Sequence, residues 1–98
     1  MVLVAPTFHA DAIAAELRRR EDGWDVRFIR PRGCHCEFFS RDTVRGDIGA
    51  RAVKNEGNVV RYVESCLRAA GYRAITRRPT VIDPEIAAVW DLMPSMAA

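Results

Sequence analysis

Two nine-residue segments of the chain share a pattern, and this repetition constrains the fold more than any other feature of the sequence. Residues 23–31 (GWDVRFIRP) and 71–79 (GYRAITRRP) both begin with glycine and an aromatic residue and end in Arg-Pro. In the first segment apolar and polar side chains alternate, which is typical of a half-buried β-strand. Because each segment follows a stretch with helical spacing, the sequence predicts two similar helix–strand halves packed in layers.

Composition limits the class of protein. The 98 residues suit one domain, which we expect to span residues 1–93 and to end in a frayed tail at 94–98. The three cysteines are an odd number and no export signal precedes them, so we expect free thiols and a cytoplasmic protein that does not enter a membrane. The net charge of +2 is too small to predict strong nonspecific binding of nucleic acid.

Apolar spacing, capping residues and turn residues assign the remaining segments. The expected elements are a strand at residues 2–5, a helix at 8–21, strands at 24–30 and from 34 onward, a helix at 58–70 and a strand at 72–78. Residues 45–57, with three glycines, should form mainly a loop. Pro31-Arg32-Gly33 predicts a hairpin, and therefore antiparallel middle strands. The order predicts an α+β fold of the ferredoxin-like (split βαβ, βαββαβ) type, with two helices on one face of an antiparallel sheet.

A further amphipathic helix is expected near the C-terminus. Asp83-Pro84-Glu85 is a typical helix start, and apolar residues with helical spacing follow it: Ile86, Val89, Trp90 and Met93. Its apolar face requires burial. The helix would fold over the open face of its own sheet, form the seam of a homodimer, or enter a groove on a partner.

The triplet Cys34-His35-Cys36 contains residue types that bind zinc. Alternation along a strand directs His35 away from both cysteines, so the three side chains should not meet at one ion. We expect Cys34, Cys36 and Phe38 on the inner face of the sheet and His35, Glu37 and Phe39 on the outer face. A site formed by Cys34, Cys36 and Cys66 is a minor alternative to three buried free thiols.

Catalytic signatures are weak in this sequence. His35 and Glu37 share a strand face and are the only arguable acid–base couple. His9 and Asp11 are two residues apart on the expected first helix, where such positions do not face each other. Neither a phosphate-binding glycine loop nor a nucleophile elbow is present. We therefore expect no enzymatic activity, no resident metal and no cofactor.

The sequence instead favours a small non-enzymatic binding module that contacts a protein partner, such as an inhibitor or adaptor (of the phage type) of a nucleic-acid-processing complex. Arginine and tryptophan dominate interface energetics, and arginine binds carboxylates in a bidentate manner. The expected contact residues are Arg27, His35, Phe39, Arg73, Arg77 and Trp90. The first alternative is a domain that binds RNA or single-stranded DNA on the open sheet face. The second is a thiol- or metal-binding protein.

Overall fold

A computed structural model describes residues 5–78 and 83–94, which form one antiparallel sheet and two α-helices. The elements in chain order are strands β1 (Ala14–Arg20), β2 (Gly23–Arg30) and β3 (Gly33–Ser40), helix α1 (Arg41–Ile48), a 3-10 turn (Ala52–Lys54), helix α2 (Glu56–Ala70), and strands β4 (Tyr72–Arg77) and β5 (Ile86–Pro94). The α+β class and the antiparallel sheet are as predicted.

The strand order is β3-β2-β1-β5-β4, and every neighbouring pair is antiparallel. The expected hairpin is present, since Arg30 pairs with Gly33 across a tight turn. The ferredoxin-like order is not found, because three strands precede the first helix and the helical segment connects the two edge strands. The expected repetition holds only for the strands β2 and β4, because β1 precedes one of them and α2 the other.

The helix predicted at residues 8–21 is wrong, since β1 occupies the second half of that segment. Leu17 has helical spacing to Ile13, but Ala15 and Leu17 also alternate with the polar residues Glu16 and Arg18, and both are fully buried on one face of the sheet. Gly23 does not end a helix. A Cβ atom at this position would lie 2.2 Å from the carbonyl oxygen of Phe39, so glycine lets β2 and β3 approach closely.

The C-terminal helix is also absent, because residues 86–94 form the strand β5 between β1 and β4. Asp83 begins a turn rather than a helix: its side chain accepts a hydrogen bond from the Glu85 N–H at 2.9 Å, and its carbonyl accepts one from the Ile86 N–H at 3.0 Å. Trp90 is fully buried in the sheet core. A homodimer seam formed by this helix therefore does not exist in this fold.

The two helices cover one face of the sheet. The predicted helix at 58–70 is confirmed as α2, which begins after the N-cap Asn55 and ends at Gly71 with a left-handed φ of 110°. Its buried side chains, spaced for one face, are Val59, Tyr62, Val63, Cys66 and Leu67. The segment 45–57 is more ordered than expected. It contains the end of α1, the 3-10 turn and the start of α2.

The core lies between this face and the helices and includes large side chains from every layer, among them Trp24, Phe28, Tyr72 and Trp90. Two predicted segments fall largely on residues that the structure does not describe. These are the strand at 2–5, of which only Ala5 is described and is not in a strand, and the tail at 94–98, of which only Pro94 is described and ends β5. The single domain at 1–93 stays a prediction.

Candidate functional site

The sheet face opposite the helices carries charged and apolar side chains. Among residues 5–78 and 83–94, no helix packs on this uncovered face. Strand register places three large apolar side chains there, namely Phe38, Ile75 and Met93, which are 54%, 44% and 44% exposed. A chain of this size with one helical layer therefore presents a broad mixed surface to solvent.

Most arginines of the uncovered face have carboxylate neighbours. The ion pairs join Arg18 to Glu16, Asp83 and Glu85, Arg20 to Asp25 and Glu85, and Arg77 to Asp91. Their N···O distances range from 2.6 to 3.4 Å. When Arg27 and Arg73 are added to these pairs, the group contains five arginines and five carboxylates, so its formal charges cancel. A surface of this composition lacks the net positive charge that would attract the phosphate backbone of a nucleic acid.

Strand β4 is one edge of the sheet, since it pairs only with β5 in the part of the chain described. Tyr72 and Ala74 point into the core, whereas Arg73, Ile75 and Arg77 are exposed on the uncovered face. We call these three residues, together with the outer backbone edge of β4, the β4 edge. Arg77 lies 3.3 Å from Asp91, and Arg73 makes no ion pair with any described residue. The edge thus offers a cation, an apolar side chain and a second cation in alternation.

Three of the six predicted contact residues lie on the uncovered face, and three do not. Arg27, Arg73 and Arg77 lie on the uncovered face, and Arg27 Nη2 donates to Cys34 Sγ at 3.3 Å. Phe39 and Trp90 are only 3% and 0% exposed, so both belong to the core. His35 lies on the helix-covered face, beside His9.

The face assignment along β3 was wrong. The tight turn pairs Trp24 with Phe39, and this register turns Phe39, Glu37 and His35 toward the helical layer. Cys34 and Cys36 are consequently exposed on the uncovered face, while Cys66 is buried on α2. A metal site formed by these three thiols is excluded, because the sheet separates two of them from the third.

A second group of polar side chains lies under the N-terminal loop, residues 5–13. Two hydrogen bonds hold this loop to β4: the His9 N–H donates to Tyr72 Oη at 2.6 Å, and the Tyr72 hydroxyl donates to the Thr7 carbonyl at 3.1 Å. The Thr7 N–H donates to Glu37 Oε2 on β3 at 2.9 Å. The loop is therefore fixed to both edge strands, and it delivers the His9 ring to the end of β3.

His9, His35 and Glu37 converge there, and we call them the His–His–Glu cluster. One ligand atom from each residue lies within 4.8 Å of the other two. The Nε2 atoms of both histidines are buried, and neither has a hydrogen-bond partner among residues 5–78 and 83–94. Glu37 Oε2 lies 3.3 Å from His35 Nε2, which is close enough for an ion pair but is not aligned as a hydrogen bond. Buried polar atoms without partners are rare in folded proteins and call for an explanation.

The surroundings of the cluster favour a neutral imidazole at His9. Partial burial, followed by the positive charge of Arg30 and by His35, lowers the pKa of His9 below its usual 6.5. Arg30 itself binds Asp11, with Nε 2.8 Å from Oδ1, and so closes the far end of the loop. The aromatic ring of Phe28 packs 5.8 Å from the His9 ring and 6.3 Å from the His35 ring. This arrangement brings two imidazole rings and a carboxylate together beside an aromatic side chain.

Sequence reasoning identified two of the three residues of this cluster. His35 and Glu37 were paired because alternation places residues two apart on the same strand face. His9 was assigned to a helix and therefore could not be connected with β3. The missing signal was long-range, since the hydrogen bonds of Thr7 and His9 reach residues 30 and 63 positions away.

Comparisons with known proteins add no assignment. No protein-family model, curated protein or solved structure matches this chain. No helix within the described residues is long and apolar enough to span a membrane.

Proposed function

We propose that this chain is a small non-enzymatic binding module, and that its β4 edge receives an extended segment of a protein partner. The observation that carries this proposal is an exposed alternating row of Arg73, Ile75 and Arg77 on a strand whose outer edge pairs with none of the described residues. Strand addition to a free edge obtains affinity from main-chain hydrogen bonds and specificity from alternate side chains.

The row defines the chemistry of the partner. A strand added beside β4 would place acidic side chains opposite Arg73 and Arg77 and an apolar side chain opposite Ile75. Met93, 44% exposed on β5, has Arg73 as its strand partner and would extend the apolar contact. The expected partner segment is therefore extended and reads acidic–apolar–acidic at alternate positions. An inhibitor or an adaptor would act in this way, by occupying a segment of a larger protein.

The alternative of nucleic-acid binding is less well supported by the uncovered face. Its arginines are balanced by carboxylates, and base stacking requires exposed aromatic rings, of which the uncovered face provides Phe38. Phe39, which was expected to contribute, is in the core. Of the arginines on this face, the acidic segment proposed for the β4 edge contacts only Arg73 and Arg77, so it does not require a net positive charge over the whole face.

A designed peptide tests the proposal directly. The probe is an extended peptide with alternating Glu-x-Leu-x-Glu positions, and the comparison peptide carries Lys in place of both Glu residues. We expect the acidic peptide to shift the backbone amide resonances of β4 in NMR spectra. Reversal of two charges in the variant Arg73→Glu plus Arg77→Glu should weaken binding by roughly tenfold or more.

The variant Arg61→Glu plus Arg68→Glu is a matched control. Both residues are exposed on α2. Arg68 lies 3.5 Å from Glu64, as Arg77 lies near Asp91, whereas Arg61, like Arg73, makes no ion pair with a described residue. This control should bind the acidic peptide like the wild type. Equal loss in both variants, or resonance shifts confined to α2 or β3, would contradict strand addition at β4. Salt-dependent binding of a single-stranded oligonucleotide that only the β4 variant loses would favour the nucleic-acid alternative.

A further inference from the structure

The His–His–Glu cluster requires an account that partner binding does not provide. It lies on the helix-covered face of the sheet, so no contact at the β4 edge uses it. Both buried Nε2 atoms lack a hydrogen-bond partner among the described residues, although a carboxylate lies within reach of one of them. The His35 and Glu37 side chains as a whole are 40% and 26% exposed, but the two nitrogen atoms are buried, and buried polar atoms are normally hydrogen-bonded or coordinate a ligand.

We propose that His9, His35 and Glu37 bind one divalent first-row transition-metal ion, with zinc as the reference ion. Two imidazole nitrogens and one carboxylate oxygen are a zinc donor set in proteins. Imidazole ligands favour zinc, copper, iron or nickel over magnesium and calcium, which prefer oxygen ligands only. It is the one group of three potential ligands that the described residues bring together.

The distances fit this ion with a small adjustment. Around a tetrahedral zinc, ligand atoms bound at 2.0–2.2 Å lie roughly 3.3 Å from one another. The His35 Nε2 to Glu37 Oε2 distance is already 3.3 Å. All three ligand atoms lie within 4.8 Å of one another, so the His9 ring needs to move inward by at most about 1.5 Å. His9 is on a loop, where such a rotation does not disturb the sheet.

The surroundings orient the ligands. The Thr7 N–H donates to the same carboxylate oxygen that faces His35, and Tyr72 holds the backbone of His9. Hydrogen bonds of this kind fix the direction of the side chains that bind a metal and raise their affinity for it. Three protein ligands leave at least one coordination position for water or another small ligand.

The exposed thiols must be removed from the experiment, because Cys34 and Cys36 can bind zinc by themselves. The reference protein is therefore the full chain with Cys34→Ser and Cys36→Ser, which change the other face of β3. Metal content is measured after dialysis against zinc, and affinity by competition with a chelator. Cobalt(II) serves as a second probe, because tetrahedral cobalt absorbs visible light strongly.

We expect one equivalent of zinc per chain and, at a hundredfold excess of zinc over its dissociation constant, a rise in Tm of about 10 °C or more. His9→Ala, His35→Ala and Glu37→Gln should each weaken binding at least about 100-fold and abolish the cobalt absorption. The His9 tether survives the first substitution, because its backbone N–H makes the bond to Tyr72. Glu37→Gln keeps an oxygen acceptor for Thr7, so it remains folded if any variant does.

The result that overturns the proposal is equally definite. If the reference protein retains no zinc, or if folded His9→Ala and Glu37→Gln variants bind zinc as tightly as the reference, the cluster is not a metal site. Far-UV circular dichroism identifies the folded variants. A control variant carries His35→Ala and retains Cys34 and Cys36. Zinc bound by this variant is bound by the thiols, because the cluster has lost one of its ligands.

Discussion

The His–His–Glu cluster and the β4 edge belong to the same sheet but differ in how their polar groups are held. The cluster lies on the covered face, where Thr7, His9 and Tyr72 fix the loop by hydrogen bonds to both edge strands. The β4 edge lies on the uncovered face, where one of its two arginines pairs with Asp91 and the other is free of ion pairs among described residues. One region is organised before a ligand arrives, and the other leaves its groups in water.

This difference separates the kinds of ligand that each region suits. Ligand atoms that converge in fixed directions favour a small ion, because folding has already ordered these side chains and binding does not have to. An exposed strand edge with alternating side chains favours an extended chain that supplies its own complementary row. The two activities should therefore be separable by mutation, except where a residue supports both faces.

Trp90 is such a residue, and Trp90→Ala should have the largest effect. The side chain is fully buried at the centre of the sheet, so its truncation should cost about 3–5 kcal/mol of unfolding free energy. Both metal binding and peptide binding should then be lost together through unfolding. Trp90→Phe should cost clearly less, because the indole N–H has no partner to lose. Urea denaturation measures both. A folded Trp90→Ala monomer of wild-type stability would show that β5 is not a core strand.

Tyr72→Phe should separate the two regions. Its hydroxyl accepts from His9 and donates to Thr7, so removal should cost about 1–2 kcal/mol of stability and weaken zinc binding roughly tenfold. Peptide binding at the β4 edge should not change, since Tyr72 points to the other face. Tyr62→Phe is the control, because that hydroxyl bonds to Asp47 on α1 and not to the loop. Equal zinc affinity in Tyr72→Phe and wild type would show that the loop is not fixed by this residue.

The parts of the fold that local signals determine were predicted well. The turn at residues 31–32, helix α2 with its glycine stop, and strands β2, β3 and β4 follow from glycine, proline and apolar spacing. The two errors of type, at β1 and β5, fall on segments whose apolar residues satisfy periods of both 2 and 3.6. Both segments form strands because each pairs with a neighbouring strand on both sides, and this pairing depends on residues that are distant in sequence.

The candidate sites follow the same division. The exposure of Arg73 and Arg77 on a strand was predictable, because arginine rarely lies in a core. The His9 position was not, since it depends on a loop that is fixed by residues far away in sequence. The sequence also did not show which side chains of β3 face the helices. Alternation defines two sets of side chains, but it does not say which set is inside.

A smaller effect is expected from pH at the helical layer. Hydrogen bonds from Arg19, followed by one from Trp24, lower the pKa of Glu56 below its usual 4.5. This carboxylate therefore stabilises the fold above about pH 4.5, and the contribution is lost as the pH falls through the lowered pKa. Because the pair is partly exposed, the effect should stay below about 1 kcal/mol. Urea denaturation at pH 7 and pH 3 should show a weaker pH dependence for Glu56→Gln, and identical dependence would contradict the prediction.

The smallest expected effect on stability gives the sharpest contrast between the regions. Arg73→Ala plus Arg77→Ala removes one free arginine and one exposed ion pair, in which the two side chains are 47% and 52% exposed. Exposed pairs contribute little, so the unfolding free energy should change by no more than about 0.5 kcal/mol. Zinc affinity should also be unchanged, while the acidic peptide should bind several-fold more weakly than to the wild type, and less weakly than to the charge-reversed variant. A large loss of stability would instead show that these arginines hold the sheet together, and the β4 edge would then be a structural feature of the fold.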